Sequence, residues 1–375
     1  MSRCENRIRQ SGRVEDRKLR GKEQDLQQQK RKEQTAKAQA VIERTAKAQA
    51  AKEQTAKEQD SEEIVCLDKI KISLKEREKR FCAVHGVSFS LFRGRTLGII
   101  GESGCGKTLL CHALLDLLEK DKWEVEGRVC WNPGFSVRDV GMIVQNPASA
   151  FDPRMKLSGH FREMAGVLGL SRRKITEEAL SLLCRTGIRD PKRVLDSYAF
   201  ALSGGMLQRV MISLALLGKP KLLIADEPTT ALDVTTQWEI LELLGGLKQE
   251  YGISVLLVSH DLKVIQSMAE DICVMYAGYV VEQGPAEEVL TAPLHPYTRG
   301  LLASRPSYSK TQIQAMEGCP PGIHDRIFGC PFAPRCGYAR ETCQKDCPPL
   351  CNWGKENTGK VHKVRCFLAG KGERT

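Results

Sequence analysis

Residues 101 to 108 read Gly101-Glu102-Ser103-Gly104-Cys105-Gly106-Lys107-Thr108, the pattern G-x-x-x-x-G-K-[ST]. Three glycines let the backbone curl until several N–H groups point inward, a nest suited to phosphate oxygens. Lys107 adds a point charge that reaches the outer phosphates, and Thr108 offers a hydroxyl to a magnesium ion. Downstream, Lys221-Leu-Leu-Ile-Ala-Asp226-Glu227 is an apolar run ending in two carboxylates. A strand ending there sets Asp226 beside the phosphates, where it can hold magnesium. Glu227 is then positioned to activate a water. Just upstream, Leu202-Ser203-Gly204-Gly205-Met206-Leu207-Gln208-Arg209 has a serine and two glycines opening a helix, a second anion site.

These residues need elements to hold them. Thr96 to Ile100 is apolar, as a buried strand before a phosphate loop must be, and Leu109 to Leu118 has helical character. Strand-like runs recur at Val84–Leu91, Leu97–Ile100, Gly141–Val144, Leu222–Ala225, Ser254–Val258 and Ile272–Met275, with helical patterns between several of them. That alternation predicts an α/β fold with a mostly parallel sheet and the loop at its strand ends. Residues 152–200 hold helix formers with no strand run and read as a helical insertion. After Arg305 the composition shifts to Pro, Gly and Cys.

The chain has 375 residues, enough for one large domain or two ordinary ones, and a net charge of +11. A basic excess suits nucleic acid, an anionic membrane surface, or a protein docked on a membrane. No run approaches the ~18 apolar residues that span a bilayer, and no apolar signal segment follows the start, so a cytoplasmic protein is expected. Its 15 cysteines are then reduced thiols or metal ligands. The first 62 residues are low in complexity, with a ten-residue repeat starting at Glu33, Glu43 and Glu53. Ten is neither a heptad nor an eleven-residue period, and almost nothing there is apolar. A solvated helix or disorder is expected, with a tether or partner helix as the functional alternative. The expected divisions are 1–62, 63–305 and 306–375.

From about Ile64 to Arg305 the motifs, in order, resemble an ABC transporter ATP-binding subunit. Lys107 and Thr108 fit the family's first nucleotide motif. Gln145, in Ile-Val-Gln-Asn-Pro, fits the loop that contacts magnesium or water and senses the membrane partner. Leu202 to Gln208 fit the signature sequence, with Ser203, Gly204, Gly205 and Gln208 facing the ATP of the other subunit. Asp226 and Glu227 fit the magnesium aspartate and the general base. Ala231-Leu232-Asp233 fit the loop that follows them, and His260 in Val-Ser-His-Asp fits the switch histidine at the γ-phosphate. The resemblance implies a RecA-like P-loop domain with an antiparallel β portion and a helical insertion. It implies MgATP hydrolysis in a head-to-tail pair, each ATP lying between Lys107 of one chain and the Ser203 loop of the other. Phe81, 26 residues before Lys107, either stacks on adenine or belongs to the core.

Two function classes are compatible with these motifs: the motor of a membrane importer, and a soluble ABC ATPase acting on nucleic acid or ribosomes. The tail favours the importer. His295-Pro-Tyr-Thr-Arg-Gly-Leu-Leu302 resembles the start of the C-terminal extension of the oligopeptide, dipeptide and nickel importer subfamily. Cys330, Cys336 and Cys343, with Cys366 beyond, resemble that subfamily's cysteine-rich tail, and four thiolates suit a [4Fe–4S] cluster or zinc. Cys347 and Cys351 are additional, and reduced structural thiols are the alternative. Val84-His-Gly-Val-Ser88 and Met206-Leu-Gln-Arg209 look most like nickel import proteins, the tail more like the peptide members. The subfamily implies two membrane permease subunits, an extracytoplasmic substrate-binding protein and a second ATPase subunit, either a paralogue or another copy. No nucleic acid is expected, and the location is the cytoplasmic face of the cell membrane.

Overall fold

The computed structural model describes residues 62–230, 232–304, 316–353 and 361–369. The N-terminal repeat, Ala231 and the boundary at Arg305 lie outside them. Among the described residues there are eleven strands: β1 (Glu63–Glu76), β2 (Lys79–Phe92), β3 (Thr96–Ile100), β4 (Trp123–Trp131), β5 (Val140–Ile143), β6 (Leu222–Asp226), β7 (Ser254–Ser259), β8 (Asp271–Tyr276), β9 (Tyr279–Pro285), β10 (Cys351–Trp353) and β11 (His362–Val364). They form an antiparallel three-stranded sheet, β2-β1-β4, and an eight-stranded sheet, β10-β11-β9-β8-β3-β7-β6-β5. In the larger sheet β8, β3, β7, β6 and β5 run parallel, and β9, β11 and β10 are added antiparallel.

Every residue of β3, β6 and β7 is buried. A strand buried on both faces has no polar side to keep, so it reads as a continuous apolar run. The side chains still alternate. Leu97, Ile99, Ile224, Leu256 and Val258 face one core cluster, with Val84, Val87 and Phe89 of the antiparallel sheet. Leu223, Ala225, Val255 and Leu257 face the other, with the helices. Each such Leu or Ile removed from water is worth roughly 1.5–3 kcal/mol. Gly98 is required for close packing: a Cβ there would lie 2.9 Å from Ile265 Cγ2.

Between residues 152 and 200 lie the helices Leu157–Leu168, Arg172–Arg185 and Pro191–Leu195. Their ends follow from local chemistry. Gly169 closes the first with φ 67°, and Ser171 and Asp190 cap the other two by accepting from Lys174 N and Arg193 N. Phe161, Ile175, Leu183 and Val194 join them to the main core.

The segment after residue 315 does not stand apart from the sheet. β11 pairs with β9, Val364 opposite Glu282. Glu282 is fully buried and accepts from Leu294 N, His295 N and, at 2.8 Å, from His362 Nε2. One carboxylate of the sheet thus ties the turn before the helix Pro296–Ala303 to the last strand of the tail. Among the described residues no helix is long and apolar enough to cross a membrane.

Candidate functional site

Four parallel strands deliver the predicted residues to one edge of the sheet, as open α/β sheets do. β3 runs into Gly101, β5 is followed by Gln145, β6 ends on Asp226 with Glu227 next, and β7 is followed by His260. Gly101 cannot carry a side chain, because a Cβ would stand 2.2 Å from Met275 O. Gly104 and Gly106 take φ of 81° and 101°, the left-handed region that glycine adopts without penalty. Gly106 opens the helix Lys107–Leu114, whose first turn carries no acidic residue to compete for an anion. Lys107 is 5 % exposed, and its Nζ donates to the carbonyls of Gly101 (2.8 Å) and Glu102 (3.1 Å). Ser103 and Thr108 are exposed, while Cys105 is buried beneath the loop, where burial raises its thiol.

Asp226 is buried. Burial pushes its carboxyl above the usual range, opposed chiefly by a hydrogen bond from Thr108. Its Oδ1 is buried with no partner. A buried acceptor left unpaired beside a hydroxyl is the donor set a magnesium ion completes.

Glu227 is the hub of the site. Gln145 Nε2 donates to its Oε2 at 3.0 Å and Thr230 Oγ1 donates to the same oxygen at 2.9 Å. His260 Nδ1 lies 3.1 Å from it. Oε1 is the carboxylate oxygen not engaged in these three contacts. The Glu227 backbone sits at φ 47°, a conformation costing about 1 kcal/mol or more for a side chain with a Cβ, and its N–H donates to Val258 O. The sheet thus fixes the carboxylate by its backbone and by three side chains. Thr230 did not emerge from the sequence motifs; a hydroxyl three residues after the proposed base is the signal that could have found it.

Ser203 caps the helix Gly204–Leu216, its Oγ accepting from Met206 N at 3.4 Å. Gly205 faces Thr236, whose Cγ2 would lie 2.7 Å from a Cβ. Gln208 is buried, with Nε2 unpartnered. Asp233 caps the helix Val234–Tyr251 by accepting from Thr236 N and Oγ1, bonds that hold its carboxyl below the usual range. The hydrogen bonds of Ser203 and Asp233 stay within the helices they cap and do not reach Glu227.

Beside the phosphate loop lies a pocket of about 460 Å³ lined by Phe81, His85, Gly104, Leu109 and, from the tail, His324. Phe81 and His324 meet edge to face, ring centroids 4.5 Å apart. Phe81 is therefore half-buried at a pocket wall, between the two expectations for it.

Cys330, Cys336, Cys343 and Cys366 line a single small cavity, together with Phe332, Tyr338 and Phe367. Burial pushes the Cys330 thiol up to about 11 and raises those of Cys336 and Cys366. Cys347 and Cys351 are exposed and do not line it. Among the described residues no group of three or more His, Cys, Asp or Glu side chains is arranged to hold a metal ion.

Residues 84–230 match the ABC transporter family, and residues 281–343 match the oligopeptide/dipeptide transporter C-terminal region. Over 311 residues the chain is 38 % identical to the dipeptide transport ATP-binding protein DppD of Escherichia coli (strain K12), covering 79 % of this chain and 95 % of that protein. The chain belongs to the ABC transporter ATP-binding proteins. It is also 35 % identical over 323 residues to DppD of Bacillus subtilis (strain 168), covering 82 % of this chain and 95 % of the relative. Among solved structures it resembles cbiO1 from Clostridium perfringens, part of the ABC transporter complex cbiONQ. The TM-score there is 0.52 at 26 % identity, over 62 % of this chain and 92 % of that one. A dimeric ATP-binding cassette in a post-hydrolysis state, bound to ADP and Pi, aligns with a TM-score of 0.50 at 25 % identity, over 60 % of this chain and 99 % of that one. As an ABC ATPase subunit, the chain hydrolyses ATP to power transport.

Proposed function

We propose that this ABC ATPase drives peptide import, with Glu227 as general base for attack on the γ-phosphate of MgATP. The convergence of Gln145, Thr230 and His260 on Glu227 Oε2, next to the buried Asp226, carries the reading. ATP binds with its phosphates in the Gly101–Thr108 loop, and Lys107 exchanges its carbonyl partners for β/γ oxygens. Thr108, Asp226 and Gln145 would hold a magnesium ion, which would supply positive charge against the phosphates. Asp226 suits this role: its carboxylate is costly to bury alone, and a cation offsets that cost. Glu227 takes the proton of a water aligned on the γ-phosphate, and His260 reaches the same phosphate from the end of β7. The Phe81 pocket is large enough for the base.

Ser203, Gly204, Gly205, Gln208 and Asp233 act on the nucleotide of a second ATPase subunit, either a paralogue or another copy. Support comes from Ser203 bonding within its own helix and from the dimeric ADP-bound cassette among the structural relatives. ATP then closes the pair and hydrolysis releases it, so each cycle moves the two permease subunits at the cytoplasmic face of the membrane. An extracytoplasmic binding protein supplies the cargo. The relatives are named for dipeptides and the tail matches the peptide-transporter region, which favours peptides over the nickel leaning drawn from Val84–Ser88 and Met206–Arg209.

In the tail, the chemistry of four thiols around one cavity suits a [4Fe–4S] cluster held by Cys330, Cys336, Cys343 and Cys366. A single zinc ion needs its sulfurs about 2.3 Å from one point. Among the described residues no group of three or more His, Cys, Asp or Glu side chains is arranged to hold a metal ion, so the cluster reading rests on the four thiols sharing one cavity.

The test of the base is Glu227→Gln in the purified transporter. ATP binding persists and steady-state hydrolysis falls by roughly 10²–10⁴. Turnover at the wild-type rate would remove Glu227 from the role.

A further inference from the structure

Arg335 closes the 3₁₀ turn Ala333–Arg335 and immediately precedes Cys336. Cys336 and Phe332, at the two flanks of that turn, line the cysteine cavity, whereas Arg335 points the other way. Its Nη1 donates to both carboxylate oxygens of Glu102 in the phosphate loop, at 2.9 and 3.1 Å. The pair is largely withdrawn from water, with side chains 7 % and 23 % exposed. The guanidinium is itself fixed: Nε donates to Glu317 O, Nη1 reaches the Tyr276 hydroxyl, and Cζ lies over the Tyr276 ring, 5.6 Å from its centroid.

Glu102 is held a second time, its backbone N–H donating to the Tyr297 hydroxyl at 3.0 Å. Tyr276, Tyr297 and Phe332 pack against one another, so both holds on Glu102 run through one aromatic knot, of which Phe332 also lines the cavity. Glu102 in turn offers its carbonyl to Lys107 Nζ. A chain of direct contacts therefore leads from the cavity to the lysine that meets the phosphates: Cys336, Arg335, Glu102, Lys107. A buried ion pair at such a junction is ill suited to adding stability, since apolar packing does that at least as well, but it specifies one relative position of the two segments.

We propose that Arg335 is a positioning residue that transmits the state of the cysteine cavity to the phosphate loop. When the four thiols are gathered on a metal cluster, the 3₁₀ turn is fixed and Glu102 and Lys107 are held ready for nucleotide. When they are not, the loop binds nucleotide more weakly. The proposal rests on the cluster reading above.

The test measures binding of a fluorescent ATP analogue to the purified transporter carrying wild-type chain, Arg335→Met, Glu102→Gln, Cys343→Ser, and the pairs Arg335→Met/Glu102→Gln and Arg335→Met/Cys343→Ser. Iron and sulfide content and melting temperature are read on each. Each single variant weakens binding about fivefold or more, and each double is no weaker than Arg335→Met alone, because both partners act through that side chain. Arg335→Lys keeps the charge without the planar fork and gives an intermediate loss, which separates positioning from a failure to fold. Multiplying losses in the Cys343→Ser double, or unchanged affinity in Arg335→Met, would overturn the proposal. A wild-type protein without iron and sulfide overturns both the cluster reading and the transmission. In that case the Arg335/Glu102 pair alone shows whether the clamp itself still acts on nucleotide.

Discussion

At the carboxyl ends of β3, β5, β6 and β7 polar groups partner one another, with Asp226 Oδ1 left unpaired: Lys107 bonds loop carbonyls, and Glu227 gathers an amide, a hydroxyl and an imidazole. The cysteine side of the same sheet is built in the opposite way. Its thiols line a small cavity among aromatic side chains, and burial holds Cys330, Cys336 and Cys366 in the neutral form. The first arrangement exchanges partners easily, as a site that binds and releases ATP every cycle must. The second gives its thiols backbone partners at Phe332, Tyr338, Leu368 and Ala369, set by the fold of the tail itself, which suits a group that binds once and stays. Arg335 and Tyr297 are where the two meet.

Removing ligands from the cavity gives the largest effect that separates the regions. In Cys330→Ser/Cys343→Ser, bound iron and sulfide fall to background, while the far-ultraviolet circular dichroism of the sheet and helices is kept. Full iron retention would show that the cavity is not the site.

On the nucleotide side, Phe81→Ala weakens ATP and GTP binding alike by about tenfold, the order expected for loss of one stacking surface. Maximal turnover changes little. Unchanged dissociation constants would return Phe81 to a packing role against His324.

The smallest effect is on pH dependence. His85 joins the two sheets, its backbone N–H donating to Gly278 O and its ring stacked on Tyr279 at 4.1 Å. Burial lowers its pKa to about 4, aided by the nearby charges of Lys71 and Arg365. The unfolded chain takes up that proton near pH 6.5, so between about pH 6.5 and pH 4 the unfolded state holds more protons. Stability therefore falls as pH drops through that window. Replacing His85 with Gln flattens the fall in melting temperature between pH 6.5 and pH 4; an identical slope would assign it to other groups.

The nucleotide side was legible because each of its residues follows directly on a strand or opens a helix. Asp226 ends β6, Gly101 follows β3 and Ser203 opens its helix, so local sequence order carries the geometry. All six strand runs read from the sequence fall on strands, five of them within a residue at each end, while the run at Val84–Leu91 misses the first five residues of β2. The antiparallel β1 and β4 were harder to read: β4, Trp-Glu-Val-Glu-Gly-Arg-Val-Cys-Trp, is half exposed and interrupted by charge and glycine. The three-residue strands β10 and β11 are too short for any period to show. The holds on Glu102 were invisible for another reason. They join residues nearly 200 or more positions apart, and nothing in the local sequence of Arg335 or Tyr297 indicates where its side chain ends. Glu282 is the same case, a charged residue in a strand whose burial is explained only by the segment that folds back onto it.

The central claim is that this chain turns MgATP hydrolysis into peptide import. It is tested most directly by ATP-driven uptake into vesicles holding the reconstituted transporter, comparing a labelled dipeptide with labelled nickel and using Lys107→Ala as the inactive control. The account predicts dipeptide accumulation that requires ATP and vanishes in the control. Nickel accumulation in place of dipeptide, or dipeptide uptake that survives Lys107→Ala, would contradict it.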